Sequence, residues 1–283
     1  MKLQRYEDIS MFRADVLDIL LKKEAENNLF ISLINDNVTV YESNLMLATV
    51  SNHNEIVLTA LCIKPLNLML YETNNNYGDD ALLLLARELR QIHYIPPGVM
   101  AERGLARRFA RIFTYDGDST ARLHLSLAVM QLDRLVEYQK ASGYCRTLEE
   151  HDMSYAPYWE HAFSEECHTH VFTIDEAIGR IRTRLRKNTH FIWIDGVPVS
   201  QAVYGRSTPN GAVINHVYTP PQYRSKGYAK SVVAELSSTL LNHGKSFCCL
   251  LADADNPVSC GMYRKLGYYD VGEMEEIRFD ICR

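Results

Sequence analysis

Apolar and polar positions alternate along this chain in patches that change period several times. From Asp8 to Glu26, Met11, Val16, Ile19 and Leu20 recur at helical spacing and predict an opening helix. Short runs at Leu45–Val50, Ile56–Ile63 and Leu66–Tyr71 predict strands, separated by Ser51-Asn52-His53-Asn54 and Lys64-Pro65 turns. Asn74-Asn75-Asn76-Tyr77-Gly78 reads as a loop, and Asp79-Asp80 opens a helix to about Gln91. After Pro96-Pro97-Gly98 the pattern predicts a helix over Val99–Phe113 and a strand over Leu123–Leu132.

The pattern lapses between Glu137 and Gly143, which places a domain boundary there and divides the chain into residues 1–138 and 144–283. The second part begins with helices at Glu149–Glu166 and Ile174–Lys187. Strands follow at Phe191–Ile194, Val197–Tyr204 and Ala212–Tyr218, the first two joined by an Asp195-Gly196 hairpin turn. A helix from Lys226 to Asn242 stops at Gly244, and Phe247–Ala252 is apolar throughout, as in a strand covered on both faces. Asn256-Pro257 starts another helix that Leu266-Gly267 closes, and the tail to Ile281 predicts two last strands. Both halves thus run helices, meander, helix, the order of a duplicated fold.

Composition narrows the class. The 283 residues suit about two domains at roughly 150 residues each. With 47% hydrophobic and 23% charged residues, the chain is neither disordered nor collagen-like. No apolar run reaches the 18 or more residues that span a bilayer, and the first residues lack a secretory pattern, so no membrane association and a cytoplasmic location are expected. Seven cysteines without Cys-x-x-Cys read as reduced thiols. A net charge of −5 argues against nucleic acid as a partner. Arg103, Arg107 and Arg111, and likewise Arg180, Arg184 and Lys187, fall on single helical faces and read as solvated faces, with an anionic ligand or an acidic partner as the sharper alternative.

The chemistry concentrates in two segments. In the first, a strand ends at Thr219-Pro220-Pro221, and the loop Arg224-Ser225-Lys226-Gly227-Tyr228-Ala229 feeds a helix with Ala229, Val232, Val233, Leu236 and Leu240 at core spacing. Backbone N–H groups converge at such a junction, and the helix dipole adds positive potential suited to a pyrophosphate. In the second, Asn256, Ser259 and Tyr263 share a helical face, while Val258, Met262 and Leu266 are expected to face the core. His216 carries the right chemistry for a general base, but strand alternation alone does not say which face it joins. Cys167-His168-Thr169-His170 lacks the further ligands a zinc site needs, so no metal is expected.

These segments resemble the GNAT superfamily of N-acetyltransferases over about residues 144–283. The family loop Arg/Gln-x-x-Gly-x-Gly/Ala corresponds to Arg224–Ala229. Its Asn-Pro-x-Ser corresponds to Asn256–Ser259, and its Tyr-x-Lys-Leu-Gly-Phe/Tyr to Tyr263–Tyr268. The resemblance implies an α/β fold of the α+β type: a mixed, mostly antiparallel sheet flanked by helices, with two adjacent parallel strands splayed apart. The first half reads as a degenerate copy without the cofactor loop, giving two tandem GNAT-like domains.

It further implies acetyl-CoA as co-substrate, with its pyrophosphate on Arg224, Ser225, Lys226, Gly227, Tyr228 and Ala229. The pantetheine arm would lie along Val217, Tyr218 and Thr219, with Asn256 and Ser259 alongside. Direct transfer of acetyl to a primary amine would follow, with Tyr263 as proton donor to the thiolate. A larger acyl donor, or a coenzyme A sensor without turnover, are the alternatives. The acceptor amine and the oligomeric state, a homodimer included, are left open by the sequence.

Overall fold

The computed structural model describes residues 1–35, 44–74, 77–117, 119–167 and 170–281. Asn75 and Asn76 of the expected loop lie outside the described residues. The chain divides into two compact units. The first holds the described residues of Met1–Val129, Ala252–Pro257 and Asp270–Arg283, the second those of Met130–Leu251 and Val258–Tyr269.

In the first unit, β1 (Lys2–Arg5) leads into α1 (Ile9–Leu21), capped by Asp8, whose carboxylate accepts from Ser10 N–H at 2.7 Å. The opening helix expected to reach Glu26 stops at Leu21, and buried Asn27 and Asn28 turn their side-chain amides onto the Leu20 and Ala25 carbonyls. The chain restarts as α2 (Asn28–Asn35). The strands β2 (Leu45–Asn52), β3 (Glu55–Ile63) and β4 (Leu68–Glu72) then form an antiparallel meander, and α3 (Asp80–Gln91) comes next.

The segment expected as one helix from Val99 splits into β5 (Gly98–Glu102) and α4 (Arg103–Phe113). Val99, Met100 and Ala101 are all buried, and a short strand covered on both sides has no period to separate it from a helix. Glu102 ends the strand by accepting from Leu105 N–H at 2.9 Å, which caps α4. β6 (Ser119–Leu132) completes the first half. The tail is one strand rather than two: β12 (Tyr269–Ile281) pairs antiparallel with β5 through Met274–Arg278. The strand order here is β1-β2-β3-β4-β5-β12-β6.

The second unit adds a short strand that hydrophobic patterning missed, β7 (Tyr144–Thr147), before α5 (Ala156–Glu166) and α6 (Ile174–Lys187). The rest is β8 (His190–Asp195), β9 (Val197–Ser207), β10 (Gly211–Tyr218), α7 (Tyr228–Asn242), β11 (Phe247–Asp253) and α8 (Pro257–Arg264). Strand order is β11-β10-β9-β8-β7, antiparallel except for the β10/β11 pair. Val232, Val233, Leu236 and Leu240 of α7 are buried together with Cys248, Cys249 and Leu250 of β11, which matches the expected stripe. No helix of the described residues is long and apolar enough to cross a membrane.

The two basic helix faces part company. Arg103, Arg107 and Arg111 stay half-exposed and pair with Glu273, Glu275 and Asp79. Arg184 instead is buried, which corrects the solvated reading of that face.

Gly98 sits where β5 meets β12: a β-carbon there would overlap the Ile277 carbonyl oxygen and crowd Asn67. Backbone cannot rotate aside as a flexible side chain can. Gly98→Ala should therefore cost about 1–3 kcal/mol, the range for overpacking a tight site. Urea unfolding measures it, and an unchanged midpoint would contradict this packing.

Candidate active site in the second unit

β10 and β11 are parallel neighbours for only three register pairs, Gly211 with Phe247, Ala212 with Cys248 and Val213 with Cys249. Beyond Val213 their pairing ceases, although β10 runs on to Tyr218. Unpaired strand ends of this kind hold backbone donors and acceptors that a ligand can satisfy. β10 is bulged there: its register against β9 shifts between Asn215 and Tyr218, and His216 takes φ 49°. The bulge breaks the alternation assumed from sequence, so no simple inside–outside assignment of Asn215, His216 and Val217 holds.

The strand end is tied down. Ser200 Oγ donates to the Tyr218 carbonyl at 3.2 Å and lies 2.8 Å from Thr219 Oγ1. Arg224 donates from Nε to the Thr219 carbonyl at 2.8 Å, and from Nη2 to both Glu166 oxygens at 2.7 Å. Its guanidinium therefore braces the loop. Ser225 and Gly227 come next with φ 62° and 83°, and Arg224 to Gly227 are all exposed. Left-handed residues in such a turn help to bring successive N–H groups to one side.

α7 begins at Tyr228 with Gly227 in the N-cap position and no side-chain cap, so its first N–H groups point out of the helix end. A β-carbon on Gly227 would meet only Ala141, at 3.8 Å, so the space beside that backbone is open. Tyr228 turns its ring inward and hydrogen-bonds Asp195, which leaves only its backbone for the loop. Lys226 is exposed, and Ala229 half-buried.

α8 is rotated relative to expectation. Val258 is 82% exposed, whereas Cys260 and Tyr263 are buried; Leu266, just past the helix, is buried as expected. Burial pushes the Tyr263 hydroxyl up to about 12, partly offset by its hydrogen bond with Ser259, with Cys167 and Cys260 nearby. Its ring packs edge-on to Tyr268 at 5.7 Å between centroids. Tyr263 and Ser259 are thus brought together as spacing predicts. Asn256 is exposed immediately before the helix.

Beneath the bulge lies a cluster that sequence reasoning missed. Glu160 of α5 is fully buried. It accepts from Arg180 Nε at 2.8 Å and from Arg184 at 2.6 and 2.9 Å. His216 Nδ1 approaches it at 3.1 Å, off the line of a good hydrogen bond, and His216 Nε2 lies 3.4 Å from Arg180 Nη2. Burial alone would raise the Glu160 carboxyl; the contacts from His216 and Arg184 outweigh it and hold the group well below the usual carboxylate range. Burial lowers His216 to about 4, with Arg184 and Arg180 adding to the effect against Glu160. His190 stands behind, fully buried and lowered to about 3, its Nε2 3.1 Å from Gln201 Oε1. The available signal was Ala156, Glu160 and Ser164 at i, i+4 and i+8, a buried stripe with a carboxylate in it.

Among the described residues no cluster of three metal-ligating side chains exists; His168 and Thr169 of the Cys167-His168-Thr169-His170 segment lie outside them. In the first unit, β4 and β5 also run parallel, over Leu68–Val99 and Met69–Met100. The loop after β4 there leads to Asp79 and Asp80 at the start of α3, with Asp79 held by Arg108 and Arg111.

The fold is similar to that of known proteins. A family model described as FR47-like protein matches residues 195–277. No curated protein matches. A GCN5-related N-acetyltransferase from Sphaerobacter thermophilus superposes with TM-score 0.66 at 14% identity, covering 99% of this chain and 95% of that one. A GNAT-family acetyltransferase from Colwellia psychrerythraea gives 0.58 at 11%, covering all of both chains. A tandem GNAT protein from the clavulanic acid biosynthesis pathway gives 0.58 at 12%, covering 99% and 98%.

The lowered histidines have a direct consequence. A histidine whose folded pKa is depressed stays neutral in the native state while the unfolded chain protonates near 6.5. Stability is then complete above that pH and falls as acid is added toward 4. Imidazole NMR signals of His216 and His190 should keep their neutral shifts at pH 5.5. Midpoints near 6.5 for both would contradict the buried cluster.

With the splayed parallel strands, the basic loop entering α7 and these structural relatives together, the chain has the GNAT fold.

Proposed function

We propose that the protein is an acetyl-CoA-dependent N-acetyltransferase that transfers acetyl directly to a primary amine, with the chemistry in the second half. The observation that carries this reading is the parting of β10 from β11 beside an uncapped α7 whose entry loop has Ser225 and Gly227 left-handed. The residues fit the cofactor. Open space beside Gly227 admits a phosphate, and the N–H groups from Ser225 to Ala229 supply donors without desolvating a side chain. Val217, Tyr218 and Thr219 offer a strand edge for the pantetheine amides, with Asn256 and Ser259 at the start of α8. Bound acetyl-CoA would supply an activated thioester.

The protein's own contribution is then orientation and a proton. Transfer to an amine held in place gains from proximity and from dipoles aimed at the developing oxyanion. Tyr263, protonated at neutral pH as any tyrosine is, has a hydroxyl to give to a leaving thiolate, and its burial makes that hydroxyl a weaker acid than a free phenol. The first unit has acids where the second has Arg224–Ala229, which disfavours a pyrophosphate there.

Titration calorimetry of the intact protein with acetyl-CoA should give about one site per chain, as one N–H cradle allows. Gly227→Val should abolish that binding without unfolding the protein, since a branched residue is strained at φ 83° and fills the phosphate's space. Two equivalent sites, or unchanged affinity in the variant, would overturn the assignment. Tyr263→Phe keeps the ring and loses the hydroxyl. It should lower the acetyl-transfer rate constant about 10²-fold, the low end for one general acid, while the acetyl-CoA dissociation constant stays within about twofold. Wild-type turnover in that variant would leave Tyr263 a packing residue.

A further inference from the structure

The cluster under the β10 bulge does not balance its charge. Glu160 carries one negative charge, while Arg180 and Arg184 carry two positive ones, and His216 is held neutral by its burial. Arg184 is spent on Glu160, to which both of its terminal nitrogens donate. Arg180 is different. Only its Nε reaches Glu160, its guanidinium lies 4.1 Å from the Phe172 ring centroid, and its side chain is 39% exposed.

It lines an open groove of about 480 Å³ with Phe172, Glu176, Gly179, Thr183 and Arg184. Glu176 does not neutralise it, because that carboxylate is turned to the helix cap. There it accepts from Thr173 N–H at 2.8 Å and Oγ1 at 3.0 Å, and it lies 3.7 Å from His170. The groove floor at Gly179 is open space.

A planar guanidinium stacked on a ring and held at Nε has its terminal edge oriented for a two-oxygen anion. His216 links this edge to β10, one residue before Val217.

We propose that Arg180 anchors a carboxylate of the acceptor, so that the acceptor is a small amino acid or similar molecule carrying amine and carboxylate together. This rests on the acetyl-transfer reading for its amine, but the anchor itself can be tested without turnover. The groove suits a small molecule, and a fixed carboxylate at Arg180 would turn a nearby amine toward the end of β10.

The experiment is NMR of the intact protein with arginine Nε–H labelled, the Arg180 signal being identified by its loss in Arg180→Gln. With coenzyme A present, the probes are glycine, L-alanine, L-glutamate, β-alanine and 4-aminobutyrate, each against its carboxamide. At least one carboxylate should shift the Arg180 signal saturably, with a dissociation constant at least tenfold below that of its amide. Gly179→Leu, a helix-compatible change that fills the groove and leaves every charge in place, should weaken that binding at least fivefold at an unchanged melting temperature.

No saturable shift with any of the acids, or amides binding equally well, would overturn the anchor. Acetyl transfer to amines with no preference for the acids would overturn it too, while leaving the transferase reading intact. A carboxylate-specific shift without any transfer would support the anchor and count against the transferase reading instead.

Discussion

Two parallel strands that stop pairing after two or three residues are the constraint on which each unit is organised. A parallel pair needs a crossover, and here α7 supplies it between β10 and β11 as α3 does between β4 and β5. Once the strands part, their backbone groups must find partners elsewhere, in solvent or in a ligand. In the second unit the crossover helix begins at that opening without a side-chain cap. The same geometry therefore sets the end of β10, beyond its pairing with β11, beside helix-end donors that no side chain caps.

The two units diverge in the loop after the first strand of the pair. Arg224, braced by Glu166 and Thr219, Ser225 and Gly227 in left-handed conformations, and an exposed Lys226 make one loop receptive to anions. In the other, Asp79 and Asp80 stand at the start of α3, and Asp79 pairs with Arg108 and Arg111. Burial sets the electrostatics behind the receptive loop. A carboxylate as deep as Glu160 is tolerated only because two guanidiniums compensate its lost hydration, and removing either would leave a buried charge poorly matched.

Much of this was legible in the residues. The Arg224–Ala229 loop, the Asn256–Ser259 and Tyr263–Tyr268 segments and the α7 stripe identified the fold, because backbone conformation and spacing are local properties. The β5 strand was not legible, since Val99 to Ala101 are buried on both sides and have no period. The Val258 and Tyr263 faces of α8 were exchanged, because eight residues make too short a helix for its apolar side to be read from sequence. The Glu160 cluster escaped for a different reason. Charged residues read as exposed until their partners are known, and Glu160 meets Arg184 and His216 from positions 24 and 56 residues away.

Amide hydrogen exchange with and without acetyl-CoA bears most directly on the claim that the second unit's opening is the cofactor site. The account predicts protection concentrated in Ser225–Lys230 and Val217–Thr219, with none at Tyr77–Leu82 around the start of α3. Protection at Tyr77–Leu82 instead, or none at Ser225–Lys230 under saturating acetyl-CoA, would contradict it.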